Sequence, residues 1–121
     1  MSSQNAEAPF AFAGLDRIFH ERARLGIVTS LAGHPGGLAF ADLKRLCALT
    51  DGNLNRHLSA LEDAGYVATE KRMVQKRQVT TCRLTAAGRE GFVEYLSALE
   101  AALREGSRAA ALAEEMRGRT A

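Results

Sequence analysis

Gly52, Asn53, Asn55, Arg56 and Ser59 alternate with Leu54, Leu58 and Leu61 in one short segment. At about 100° per residue in a helix, the leucines share one stripe and the small and polar residues project from the other side. Amide, guanidinium and hydroxyl groups on a narrow helix match the donors and acceptors at base edges in a duplex major groove, which is about 12 Å wide. Arg56 can bracket a guanine in bidentate fashion and Asn55 can read a neighbouring base, whereas Asn53 and Ser59 suit bases and phosphates alike. Gly52, at the start of the segment, leaves room for close approach. A merely solvated helix face has the same composition, so charge elsewhere has to decide between the two.

Charge is concentrated a little further on. Lys71, Arg72, Lys76, Arg77 and Arg83 carry +5 in one window without an acid, while the rest of the chain, with eleven basic and fourteen acidic residues, nets −3. A local cluster of this kind favours a polyanion. Lys71, Arg72, Gln75, Lys76 and Arg77 fit contacts to a minor groove or its flanking phosphates, with Arg77 or Lys76 as the inserted side chain. The competing reading is a charged edge strand that discourages aggregation.

Catalytic chemistry finds no support. There is no phosphate-cradling glycine loop, no HExxH and no GxSxG, and His20, His34 and His57 are scattered. His57 borders the leucine stripe and reads as a packed side chain rather than a general base. Cys47 and Cys82 lie far apart without a CxxC pair; each reads as a small buried apolar residue in preference to a redox or metal sensor. No metal, no cofactor and no enzymatic activity are expected. No apolar run approaches the roughly 18 to 20 residues of a membrane span, and residues 1–14 lack a signal peptide's basic start, so the expected location is the cytoplasm.

The elements that hold these residues follow from periodicity. At 121 residues, with 46% hydrophobic and 25% charged, the chain has the size and composition of one soluble globular domain. Residues 1–14 form a flexible arm, with Pro9 between apolar residues. From about Leu15 to Leu31, Ile18, Phe19, Ala23, Ile27, Val28 and Leu31 recur at helical spacing, and Gly33-His-Pro-Gly-Gly37 ends that helix. Leu38 to Phe40 can form a very short strand, and a second helix covers Ala41 to Ala48. A third begins after the N-cap Thr50, with Asp51 at the positive end of its dipole, and closes at Ala64-Gly65. Tyr66 to Thr69 and Val79 to Leu84 are rich in strand formers, and Glu70 to Gln78 between them reads as a long basic tip rather than a two-residue turn. Thr85 caps a last helix in which Phe92, Leu96, Leu99 and Leu103 form a seam. Its signal weakens past Gly106, although Ala109 to Met116 can extend the helix, and Arg117 to Ala121 is expected to fray.

Three helices followed by a hairpin give a mainly α chain of the α+β class: a winged helix-turn-helix with a two- or three-stranded antiparallel wing and a C-terminal dimerisation helix. The run from Phe40 to Val67 resembles the helix-turn-helix of the MarR/ArsR-like winged-helix regulators, above all their small subgroup with a winged-helix DNA-binding domain. Arg22 to Leu31 and Leu84-Thr-Ala-Ala-Gly88 resemble that subgroup's first helix and the opening of its last, so the resemblance spans roughly Leu15 to Leu103. It implies a homodimeric, double-stranded-DNA-binding transcriptional regulator acting on a palindromic operator. Metal-sensing members of the ArsR group carry paired cysteines that this chain lacks, and a small-molecule effector is unmarked by any residue. The expected organisation is an arm at 1–14, a DNA-binding domain at 15–84, and a dimerisation helix with its tail at 85–121. Phe92, Leu96, Leu99 and Leu103 form the interface, because so small a fold leaves apolar seam uncovered. The alternative from another class is a winged-helix protein-interaction module that reads no sequence.

Overall fold

The computed structural model describes residues 8–120; residues 1–7 of the expected arm and Ala121 lie outside the described residues. In chain order the elements are α1 (Arg22–Ala32), β1 (Leu38–Ala39), α2 (Phe40–Cys47), α3 (Asp51–Asp63), β2 (Val67–Val74), β3 (Arg77–Leu84) and α4 (Ala86–Thr120). The three strands form one antiparallel sheet in the order β1-β3-β2. This is the expected α+β winged helix with a C-terminal helix. Among the described residues, no helix is long and apolar enough to cross a membrane.

The chain divides into two compact units. The first is Asp16–Val93. Its core joins Ile27, Val28 and Leu31 of α1, Leu43 of α2 and the Leu54, Leu58 and Leu61 stripe of α3, all buried. Each such side chain contributes about 1.5–3 kcal/mol by leaving water, which sets the register of the helices that carry the exposed polar residues. Phe19 stacks on Tyr66 at 4.8 Å between ring centroids and meets Phe92 at 5.7 Å in a tilted arrangement. Phe19 thus joins the segment before α1 to the start of β2 and the first turns of α4. The second unit comprises residues 8–15 with 94–120. Gly14 lies so close to α4 there that a Cβ would sit 2.8 Å from that of Ala98.

Three expectations are corrected. The first helix starts at Arg22 rather than near Leu15. Asp16 turns the chain instead: its Oδ1 accepts the Ile18 N–H at 3.0 Å and its carbonyl accepts from Phe19 and His20. Glu21 is extended and caps α1, taking the Arg24 N–H at 2.8 Å, while the Arg24 guanidinium donates to the Ile18 carbonyl at 2.9 Å. The apolar spacing through Ile18 and Phe19 still pointed inward, so periodicity alone could not separate a turn from a helix.

The long hairpin tip is absent. β2 and β3 pair over eight positions each, from Val67↔Leu84 to Val74↔Arg77, and only Gln75 and Lys76 remain as the turn. Both have positive φ, 51° and 65°, as the two-residue type I′ turn requires. Polar residues from Glu70 onward suggested a loop; they belong instead to a ribbon exposed on both faces, which needs no apolar alternation.

α4 runs unbroken past Gly106 and through the Ala109 to Met116 extension to Thr120, so residues 117–120 are helical rather than frayed. Alanine-rich composition favours this helix, as do the ion pairs Arg104–Glu100 (3.5 Å), Arg108–Glu105 (3.6 Å), Arg117–Glu114 and Arg119–Glu115 (3.8 Å).

Candidate nucleic-acid interface

Thr50 fixes where the exposed helix begins: its backbone is extended and its hydroxyl accepts the Asn53 N–H at 3.2 Å. From that start the buried stripe of Leu54, His57, Leu58 and Leu61 dictates which side chains look outward. Gly52, Asn53, Asn55, Arg56 and Ser59 are all exposed. Helical geometry divides them. Gly52, Arg56 and Ser59 sit near the crest opposite the core, Asn55 lies on the flank towards β2, and Asn53 lies on the other flank. The Arg56 guanidinium donates to the Asn53 carbonyl oxygen at 3.3 Å, so these two side chains are hydrogen-bonded to each other. At the far end of the crest Asp63 is exposed beside Glu62, so the C-terminal end of α3 is acidic and its first two turns are not.

One acid does lie in the first turn, Asp51, and it is matched by a residue that the sequence did not single out: Lys44 of α2 approaches it at 2.8 Å. Neutralising Asp51 removes the group that most opposes a phosphate at the positive end of the α3 dipole. No helix-spacing rule could have found Lys44, because the pair bridges two helices.

The sheet register also divides the basic residues. Lys71 and Met73 share a face with Thr80, Gln78 and the buried Val67, Cys82 and Leu84. That face turns towards α3, where the Thr69 hydroxyl donates to Glu62 at 3.1 Å. Here Lys71 lines a cleft of about 440 Å³ with Asn55, Ser59, Thr69 and Thr80. Arg72, Arg77 and Arg83 lie on the opposite face, and Arg72 is paired with Glu70 at 2.8 Å. Gln75 and Lys76 form the tip, with Arg77 next to them, all exposed. Lys71 is four residues down the strand, about 14 Å from Gln75 at the usual rise. The five predicted wing residues therefore form a tip group and a stem group rather than one patch.

Of the predicted seam, Phe92 is buried against Phe19 within the first unit. Leu99 is half-buried, and Leu96 and Leu103 are 43% and 63% exposed. The apolar surface that α4 offers outward is thus narrower than the sequence suggested at its N-terminal end, yet it continues further along in Leu112 and Met116, both exposed.

The thiols differ. Burial first, and the Glu62 charge second, push the Cys82 thiol up to about 11, which leaves it an inert apolar side chain at neutral pH. Cys47 is half-buried, 3.8 Å from the Ser30 hydroxyl. The exposed set on α3 and the wing offers hydrogen bonds and positive charge.

Residues 23–103 match the family model described as a winged helix DNA-binding domain. An uncharacterized protein of Methanocaldococcus jannaschii is 38% identical over 80 residues, which span 66% of this chain and 86% of that protein. The structure of a transcriptional regulator homologue from Pyrococcus horikoshii OT3 superposes with a TM-score of 0.69 at 31% identity, covering 74% of this chain and 88% of the other. The MarR family regulator Sco3205 of Streptomyces coelicolor, solved in complex with DNA, shares the fold with a TM-score of 0.59 at 23% identity over 94% and 79% of the two chains.

Proposed function

The chain belongs to the winged helix DNA-binding domain family, and from that premise we propose that it is a homodimeric transcriptional regulator that reads a palindromic site in double-stranded DNA. The observation that carries this reading is the seating of α3: four buried side chains hold it so that Gly52, Arg56 and Ser59 crest outward, with Lys71 of the wing stem lining a cleft beside Asn55 and Ser59. The first two turns of α3 enter the major groove, with Arg56 bidentate to guanine and Asn55 beside it, while Asn53 and Ser59 contact bases and phosphates. The acidic C-terminal end at Glu62 and Asp63 stays clear of the backbone. Lys76 and Arg77 reach the adjacent minor groove, Lys71 meets the phosphates between helix and wing, and Arg72 and Gln75 extend the basic rim.

A single module of this size makes few contacts with DNA, so two copies bind together. Leu96, Leu99 and Leu103 of α4 supply the interface, with Phe92 supporting them from the core side. Two α3 helices then meet successive major grooves about 34 Å apart. Such a protein works in the cytoplasm, and its arm, DNA-binding module and terminal helix divide the chain at about residues 14 and 84.

Salt dependence tests the wing. Lys76→Ala with Arg77→Ala weakens binding on every duplex and flattens the plot of log K against log salt by about one unit per lost phosphate contact. An unchanged slope removes the wing from the interface. Absence of duplex binding by the wild-type protein overturns the whole reading in favour of a protein-interaction module.

A further inference from the structure

On the inner side of α3, opposite the proposed DNA face, His57 is buried with 7% of its surface exposed, and its Nδ1 has no hydrogen-bond partner. That nitrogen lies 3.9 Å from Oε1 of Glu21, too far for a hydrogen bond and close enough for an ion pair. We infer that His57 and Glu21 form a proton-operated latch that seats α3 against the start of α1.

Glu21 is well placed for this role. The same oxygen that faces His57 accepts the Arg24 N–H at 2.8 Å and caps α1, so the carboxylate cannot rotate away without uncapping the helix. The Arg24 hydrogen bond, outweighing burial, with the His57 and Arg24 charges adding to it, holds the Glu21 carboxyl below its ordinary 4.5, so it is anionic throughout the range in which an imidazole titrates. Neutral His57 leaves a buried polar atom unsatisfied. Protonated His57 turns the same atom into a charge-assisted donor to a carboxylate already in place. The contact then shortens, and α3 is drawn onto the α1 cap.

Other charges near α3 lie elsewhere. Lys44 of α2 is engaged with Asp51 at the helix start. From β2, Lys71 lines the cleft with Asn55, Ser59 and Glu62, roughly 140–200° around the helix from His57. Arg24, on α1, acts on Glu21 with its charge and points its guanidinium at the Ile18 carbonyl. His20 precedes Glu21 and is exposed, a second imidazole that the test has to control for.

The latch adds stability at pH values below the imidazole range and loses it as pH rises through that range. The test uses the full chain. Thermal unfolding and His57 ring nitrogen NMR are followed from about pH 8 to about pH 5.5 for the wild type, Glu21→Gln, His57→Gln and His20→Gln. Glu21→Gln keeps an oxygen for the Arg24 cap and leaves the imidazole in place, so it folds and isolates the charge. The wild type and His20→Gln are expected to gain about 4 °C in Tm relative to Glu21→Gln on acidification, with His57→Gln behaving like Glu21→Gln. The α3 amide resonances from Asn53 to Ser59 should shift along the same titration curve in the wild type and His20→Gln, and not in the other two variants. The latch is overturned if Glu21→Gln leaves the His57 titration and the Tm profile as in the wild type, or if the profile follows His20.

Discussion

Gly88→Ala provides a quantitative test of how the first turn of α4 packs within the Asp16–Val93 unit. An added Cβ would lie 2.1 Å from the Tyr66 carbonyl oxygen, 2.9 Å from its carbon and 3.0 Å from Leu84 Cδ1. That carbonyl cannot retreat freely: it accepts the Thr85 N–H at 3.0 Å, and the Thr85 hydroxyl donates to the neighbouring Gly65 carbonyl at 2.6 Å while accepting the Gly88 N–H at 3.0 Å. Alanine gains up to about 1 kcal/mol of helix propensity. Against this stand overpacking of about 1–3 kcal/mol and the weakening of one or two hydrogen bonds at about 1 kcal/mol each. The net effect is a loss of about 2 kcal/mol, or a Tm lower by about 8–16 °C for a unit of this size. Gly106, in the same helix, has nothing within 4 Å of its Cβ position, so Gly106→Ala should gain about 0.5–1 kcal/mol from propensity alone. Chemical unfolding followed by far-UV circular dichroism measures both. A neutral or stabilised Gly88→Ala protein would show that the close crossing at Tyr66 does not exist.

The wing turn offers a second check. Gln75→Asn with Lys76→Gly supplies the residues that a type I′ turn prefers, so the hairpin gains roughly 1 kcal/mol, visible as slower amide exchange in β2 and β3, even as duplex binding weakens through loss of Lys76. Faster exchange would mean the turn is of another type. Cys82, whose thiol is pushed up to about 11, should resist alkylation at pH 8 in the native protein and react at once in denaturant. Rapid native labelling at Cys82 would place it outside the core.

Much of this fold was legible because its strongest determinants are local. Thr50 as a cap, the leucine spacing of α3, the glycine stop after Leu31 and Thr85 at the start of α4 are each decided by residues within one or two turns, and each sits where the sequence put it. The misjudged places are those that periodicity does not read, whether their partners are distant or local. The β2–β3 ribbon looked like a loop because its pairing, not its composition, makes it a strand. Asp16 to His20 looked helical because a capped turn can bury Phe19 and half-bury Ile18 much as a helix would. In the candidate site, the exposed set on α3 followed from periodicity, whereas the Lys44–Asp51 pair and the division of the wing cations between two faces required the tertiary arrangement.

Selection of bound sequences from a random duplex pool, carried out in parallel with wild type and Arg56→Ala, decides whether α3 reads DNA sequence. The expected result is a palindrome whose half-sites lie about one helical turn apart, with Arg56→Ala losing about 1–3 kcal/mol on that site and its preference relaxed at one position in each half. Enrichment of no sequence by the wild type, or of the same sequence with equal strength by both proteins, would contradict it.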